Sequence, residues 1–348
     1  LINLKLILPL IYSKQTNRKT MIAGIDDPKI QKILTLPSTT DTDWKRDLQR
    51  LQQGDITLDR KTVGENSVIA LQRLLIFLGF STTGRGSFKI DGDFGRGTNR
   101  GLAQFKFENG LGGNITRNIL CYNCSWRDAH KKIVSVPDSR LDIPTLEKFG
   151  KVTLAAIDSG NVMCGSFDEA LYHLNNVHQN KFYTSRQILD RYGAMAKSAA
   201  TKIKAENGAT LAPEWILTII KQETAGVVRP RFEQHLLTRF NRDNSGLPLD
   251  ELRYRAMSFG LGQILGVNYK MVKAASAKAM FTSPLPEQVL FVARFLTYSS
   301  HRRALVSKKN PSAQDFRGVA KFYNGSGYEA HHYHESIERW YKEFRSMM

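Results

Sequence analysis

The chain has 348 residues, 41% of them hydrophobic and 24% charged, enough for two folded domains with a sizeable core in at least one. Lys and Arg number 50 against 32 Asp and Glu, and the formal charge of +18 favours polyanionic partners: nucleic acid, anionic lipid or the anionic polymers of a bacterial envelope. Three cysteines exclude a disulfide framework, and the apolar opening, LINLKLILPLIY, is too short to span a bilayer.

That opening also lacks the basic start and small-residue cleavage site of a convincing signal peptide. Met21 begins an ordinary polar sequence, so residues 1–20 read as an upstream reading-frame extension or a weak export segment. The Pro-Ser-Thr-Thr-Asp-Thr-Asp stretch at 37–43 reads as linker, and Trp44 to Leu51 carries a short helical pattern without evident chemistry. Residues 1–60 are therefore expected to form an N-terminal extension and linker.

From Glu65 the pattern changes. Val68, Leu71, Leu74, Leu75 and Leu78 recur at helical spacing, and Gly79 stops the helix. A glycine-rich loop leads to IDGDFGRGT at 90–98 and a second stripe through Leu102, Phe105 and Phe107. Asp91-Gly92-Asp93 predicts a tight turn; a calcium loop needs a longer acidic series and a closing Glu. Cys121 and Cys124 make a Cys-x-x-Cys pair with His130 nearby, while Cys164 stands apart. A structural zinc needs four ligands at recognisable spacing, so a thiol pair or local disulfide is the expectation.

A second domain begins near Leu154 and is mostly helical. Ser166-Phe-Asp-Glu has the form of a capping box. Ile188, Tyr192, Met195, Ala199 and Ile203 share a helix face, as do Ile337, Trp340, Tyr341 and Phe344 at the end of the chain. In APEWILTIIKQETAG, 212–226, Pro213 suits a first turn and the apolar residues run nearly all round, predicting a buried helix that Gly226 breaks. Glu223 stands at its C-terminal end, where desolvation and the negative helix terminus both raise a carboxyl pKa. A general acid working near neutral pH needs such a shift; an ordinary solvated Glu at a surfacing helix end is the plain alternative.

Further on, AMSFGLGQILGVNY at 256–269 is a glycine-punctuated loop or small hairpin offering Ser258, Gln263 and Asn268. KFYNGSGY at 321–328 puts Tyr323 and Asn324 at the end of a helix beginning near Ser312. Either segment can line a sugar site or serve as a structural turn. His331, His332 and His334 lack a companion carboxylate at suitable spacing and read as polar surface, so no metal is assigned. Basic residues are scattered, with no nucleic-acid-binding module.

Residues 67–111 resemble the peptidoglycan-binding domain of many wall hydrolases in the Leu71-Gln72 pair, the Asp-Gly-x-Phe-Gly turn, Thr98 capping the next helix and a Phe within it. The resemblance implies Asp91, Gly92, Phe94, Gly95 and Thr98 as the module's characteristic residues, and it departs at an insertion near 112–140. Roughly residues 166–346 resemble the N-acetylmuramidase family of phage endolysins and related bacterial proteins. The ordered motifs are a buried helix ending in Glu223, Phe232-Glu233-Gln234-His235, Ser258 through Tyr269, Pro286-Glu287-Gln288 with Phe291, and Tyr323 through Tyr328. One departure is the short passage from Thr224 to Arg229-Pro230-Arg231, which alters the cleft edge and leaves the Glu in place.

Together the two resemblances imply a mainly α chain: a small helical binding module at 61–150, then a lysozyme-like catalytic domain at 154–348. The second implies hydrolysis of the β-1,4 bond between N-acetylmuramic acid and N-acetylglucosamine, with Glu223 as acid and Ser258, Gln263, Asn268, Tyr323 and Asn324 on the substrate. Glu233 is the candidate second carboxylate, as nucleophile, water activator or, the preferred reading, structural ion-pair partner of His235. No cofactor is implied. The expected partner is bacterial peptidoglycan, with transient attraction to anionic envelope polymers, no specific nucleic acid, and a monomeric protein. Action is expected at the cell wall, periplasmic or extracellular; a phage endolysin would be made in the host cytoplasm and released, bacteriolytic and antimicrobial. A lytic transglycosylase of the same fold and a non-catalytic wall-binding or structural protein are the alternatives.

Overall fold

Asp27 accepts a hydrogen bond from the Lys29 amide and Pro28 supplies the φ of a first turn, which starts helix α1, Pro28–Leu34. The computed structural model describes residues 24–37, 43–53, 61–82, 90–111, 140–244 and 246–348. The readings for residues 1–20, for most of the 37–43 stretch, for Cys121, Cys124 and His130, and for most of the 112–140 insertion lie outside these. In the N-terminal half, α1 is followed by α2 (Asp43–Gln52), α3 (Glu65–Phe77), α4 (Arg96–Glu108) and α5 (Ile143–Asp158). Gly64 has no side chain with which to cap α3. The buried Asp47 of α2 caps it from outside, accepting from the Gly64 amide at 2.9 Å and the Ser67 hydroxyl at 2.8 Å. An anion at a helix N-terminus also meets the positive end of the helix dipole.

Ile30, Ile33 and Leu34 of α1 and Trp44, Leu48 and Leu51 of α2 are buried in the same core as Leu71, Leu74 and Leu75. Much of 24–53 thus packs into one core with α3, because its apolar residues have a face of that helix to cover. Helix α5 runs unbroken through positions 150 and 154, with Phe149 stacked on Phe105 of α4, so the N-terminal half extends to Asp158.

The turn between α3 and α4 is organised by one buried amide. Gln72 Oε1 accepts from the amides of Asp91 and Gly92, at 3.0 and 3.1 Å. Its Nε2 donates to Asp91 Oδ1, the Asp93 carbonyl and Thr98 Oγ1, at 3.0, 3.2 and 3.0 Å. Gly92 has a φ of +71°, and a Cβ there would lie 2.4 Å from Glu65 Cγ. The tight turn read from Asp91-Gly92-Asp93 is present. Thr98, however, lies within the first turn of α4 and donates to the Asp93 carbonyl; Gly95 is the residue that caps the helix. Gln72→Ala leaves these groups without partners and is expected to destabilise the protein by about 2 kcal/mol in denaturant unfolding.

The C-terminal half contains α6 (Phe167–His178), α7 (Ser185–Asn207), α8 (Pro213–Thr224), α9 (Gln234–Asp243), α10 (Leu249–Arg255), α11 (Ala277–Thr282), α12 (Leu285–Leu296), α13 (Ser300–Val306), α14 (Ala313–Asn324) and α15 (Tyr333–Met347). Strands β1 (Arg231–Phe232), β2 (Met257–Phe259) and β3 (Ile264–Leu265) form a small antiparallel sheet in that order. The fold is mainly α, as expected. Ser166 stands at the start of α6 without a side-chain cap, whereas Thr184 and Gln187 form a complete capping box at α7. Helix α8 is the central one, buried from Trp215 to Ile220 and packed by α7, α12 and α15. No helix among the described residues is long and apolar enough to cross a membrane.

The two halves share one core and two buried arginines. Arg73 of α3 donates to the carbonyls of Ile33, Lys32 and Thr35 and to Asn175 Oδ1 of α6, and lies 3.0 Å from His178 Nδ1. Burial lowers its pKa to about 9, still well above neutrality. Arg253 of α10 reaches the opposite way. Its Nε meets both oxygens of Glu108 in α4 at 2.8 and 3.0 Å, and its Nη1 donates to the Gly79 carbonyl.

Candidate active site

Glu223 lies in the last turn of α8, and the residues after it turn the chain sharply. Ala225 (φ +45°), and not Gly226 alone, takes the left-handed conformation that ends the helix. Gly226 follows at φ +78°, where a Cβ would lie 2.5 Å from Tyr183 Cδ2. Thr224 Oγ1 donates to the Leu261 carbonyl at 2.9 Å, tying the helix end to the β2–β3 turn. The buried Val228 amide donates to His173 Nδ1 at 3.2 Å. Burial lowers the His173 pKa to about 3, so the ring is neutral and its Nδ1 is available as an acceptor.

Burial raises the Glu223 pKa to about 7, with Tyr333, Arg231 and Arg229 pulling the other way. Tyr333, at the start of α15, donates its hydroxyl to Glu223 Oε1 at 2.5 Å across 110 residues of sequence. That hydroxyl and the two guanidinium groups favour the carboxylate form. Their sum leaves a carboxyl that both holds and releases a proton near neutral pH. Sequence reasoning missed Tyr333, since its helix face reads as core and nothing local marks its distant partner.

The expected substrate residues divide. Tyr323 is close enough for the Glu223 charge to raise its pKa further above a value that burial has already lifted. Its hydroxyl donates to the Gly262 carbonyl at 2.8 Å. Gln263 Nε2 donates to the Arg229 carbonyl at 2.8 Å, which fastens the hairpin turn to the segment before β1. Ser258 is buried in β2 opposite Arg231. No hydrogen bond among the described residues joins Asn268 or Asn324 to this group; Asn268 lies in a short 3-10 turn and Asn324 is exposed. Glu233 is bound to Arg231, with Oε1 3.0 Å from Nε, rather than to His235. Two residues apart across β1, these side chains meet as His235 points out to solvent from α9.

In the N-terminal half, Phe94 and Thr98 are buried and Asp91 is exposed, all within the turn that Gln72 organises, with Gly92 and Gly95 between them. A carboxylate does accompany the C-terminal histidines: Glu335 Oε1 lies 3.2 Å from His332 Nδ1 and 3.6 Å from His334 Nε2. The i, i+3 spacing at the start of α15 produces that pairing. No group of three or more His, Cys, Asp or Glu side chains among the described residues is arranged to hold a metal ion. Cys164 is a buried free thiol, its pKa pushed up to about 12 by burial.

A family described as N-acetylmuramidase matches residues 185–345, the stretch that holds α8, the sheet, Glu223 and Tyr333. This region is an N-acetylmuramidase domain. The muramidase domain makes the protein a peptidoglycan hydrolase, a glycoside hydrolase acting on the bacterial cell wall. No curated protein matches the chain. Among solved structures, it is similar to the crystal structure of the Burkholderia AP3 phage endolysin, at 15% identity over 80% of this chain and 95% of that one, with a TM-score of 0.36.

Proposed function

We propose that Glu223 of the muramidase domain is the general acid that protonates the glycosidic oxygen between N-acetylmuramic acid and N-acetylglucosamine. The observation that carries this reading is a carboxyl with its pKa raised to about 7 by burial, in the last turn of α8 and bonded to Tyr333. Because Tyr333 occupies Oε1, the proton for the leaving oxygen sits on Oε2. As the glycosidic bond breaks, the proton moves to the leaving oxygen and the carboxylate left behind accepts the Tyr333 hydroxyl hydrogen bond. The two arginines add electrostatic stabilisation of that charge. Glu233, held by Arg231, serves to position that guanidinium, and Tyr323 and the β2–β3 turn shape the wall of the cleft.

The protonated acid is the active form, so the rate falls as pH rises through about 7. Tyr333→Phe removes a hydrogen bond that favours the carboxylate. The alkaline limb of the kcat profile should then move to higher pH, with kcat at the optimum a few-fold lower. An unmoved limb would show that Tyr333 does not act on the acid.

The helices up to Asp158 serve as a wall-binding module, and the net charge of +18 draws the protein toward anionic envelope polymers without specific nucleic-acid binding. We read the protein as a monomeric, endolysin-like bacteriolytic enzyme with antimicrobial action. Mass analysis of fragments from purified peptidoglycan tests the chemistry. Free reducing N-acetylmuramic acid ends support hydrolysis, and anhydro-sugar ends would assign it to a lytic transglycosylase. Sedimentation with purified walls tests the binding module.

A further inference from the structure

The segment that follows Glu223 has features that bond cleavage does not require. In Arg229-Pro230-Arg231 the proline keeps the preceding residue extended, and side chains two apart on an extended segment project to the same side. Both guanidinium groups act on the Glu223 carboxyl, and each feels the other. Phe232, between β1 and the core, is buried; the Arg231 side chain is 59% exposed while resting on Glu233.

Next to Arg229 stands an aromatic ledge. The Arg229 guanidinium lies 5.2 Å from the centroid of Phe182, whose ring is 41% exposed. The loop carrying Phe182 is firmly anchored: the Tyr183 amide donates to the Ala225 carbonyl at 3.0 Å, and Lys221 Nζ donates to the Tyr183 carbonyl at 2.7 Å. Tyr183 also donates its hydroxyl to that of Tyr172, a second exposed ring, which lies beneath Arg191 at 4.5 Å. Held in place by these bonds, the two exposed rings offer flat apolar faces that a ligand can cover.

A glycan strand supplies apolar sugar faces for a ring. Muramoyl residues in intact wall also carry stem peptides with free carboxylates. We propose that Phe182 and Arg231 form a subsite for the peptide-bearing muramoyl unit beside Glu223, with the ring under a sugar face and the guanidinium on a stem-peptide carboxylate. A planar guanidinium matches a carboxylate in two parallel hydrogen bonds, and Arg229 braces the aromatic ring from its protein side. The inference deepens the muramidase reading and rests on it for the substrate class. It makes the enzyme discriminate between peptide-bearing and bare glycan.

The test uses the full-length Glu223→Gln protein, titrated calorimetrically with tetrasaccharides of alternating N-acetylglucosamine and N-acetylmuramic acid, with and without stem peptides. The peptide-bearing ligand is expected to bind about tenfold more tightly, the scale of a charge-assisted hydrogen-bond pair. Adding Arg231→Gln should bring that ratio close to one, and adding Phe182→Ala should weaken both ligands. Arg242→Gln, the same charge change at a side chain 76% exposed on α9, should keep the ratio. Equal affinities in the parent protein, or an undiminished ratio with Arg231→Gln, would overturn the subsite. Binding is read without turnover, so absence of cleavage by the unsubstituted chain would count against the acid assignment and not against this ratio.

Discussion

Glu223→Gln is expected to slow wall lysis by about a thousandfold or more, the range set by losing a positioned general acid. The amide has nearly the same shape and can still accept the Tyr333 hydrogen bond, but it has no proton to give the leaving oxygen. The variant should stay folded and sediment with walls as before. Its stability profile should also change. A carboxyl raised from its ordinary value to about 7 in the folded state makes the protein lose stability as pH rises from about 4.5 through 7, because the unfolded chain binds fewer protons across that window. Glutamine removes this slope. Reducing-end release gives the rate and denaturant unfolding at several pH values gives the slope; retained lytic activity would remove Glu223 as the acid.

Arg253→Met is expected to destabilise the protein by about 3–5 kcal/mol, the cost of leaving one partner of a buried ion pair without the other. The side chains of Arg253 and Glu108 are only 3% and 6% exposed, so water cannot stand in for the lost guanidinium. The Gly79 carbonyl loses a donor as well, and Phe80 and Tyr254 lose the cation at 3.9 and 4.3 Å from their ring centroids. With Arg253 gone, burial and the Asp250 charge outweigh Lys278 and raise the Glu108 pKa further. The deficit should therefore be greatest near neutral pH and shrink as acid protonates Glu108. Arg253→Met with Glu108→Leu should recover part of the loss, since an apolar pair leaves no buried charge. Full-length protein in urea or guanidinium at two pH values checks both parts, and a deficit independent of pH would rule out Glu108 as its source.

Much of the fold was legible because its signals are local. The three- and four-residue spacing of Val68, Leu71, Leu74 and Leu75 marks α3, and Pro213 with the apolar run after it marks α8 and leaves Glu223 at its end. The expected capping box at Ser166 failed because a side-chain cap depends on geometry that the residue types alone do not settle. The partners of Glu223 could not be read, because Tyr333 is 110 residues away and touches it only after α15 packs on α8. His235 looked like the partner of Glu233 in sequence, yet strand geometry gives that place to Arg231. Gln263, read as a substrate residue, and Thr98, read as a helix cap, each donate to a backbone carbonyl and hold a local turn. Polar residues in a recurring motif can be there for the backbone, and spacing alone does not distinguish the two uses.

The helix running from Ile143 to Asp158 has a practical bearing on how such enzymes are rebuilt. A hybrid built by swapping parts at a linker assumes that each part is an independent cassette. Here a cut at the apparent seam would sever that helix just past Phe149, which stacks on Phe105, and expose a carboxylate and a guanidinium that exist only for each other. An exchange partner would have to bring its own counter-charge for Arg253 and its own acceptor in place of the Gly79 carbonyl. Altering the N-terminal helices of this protein is therefore a matter of resurfacing them in place, with the seam left as it is.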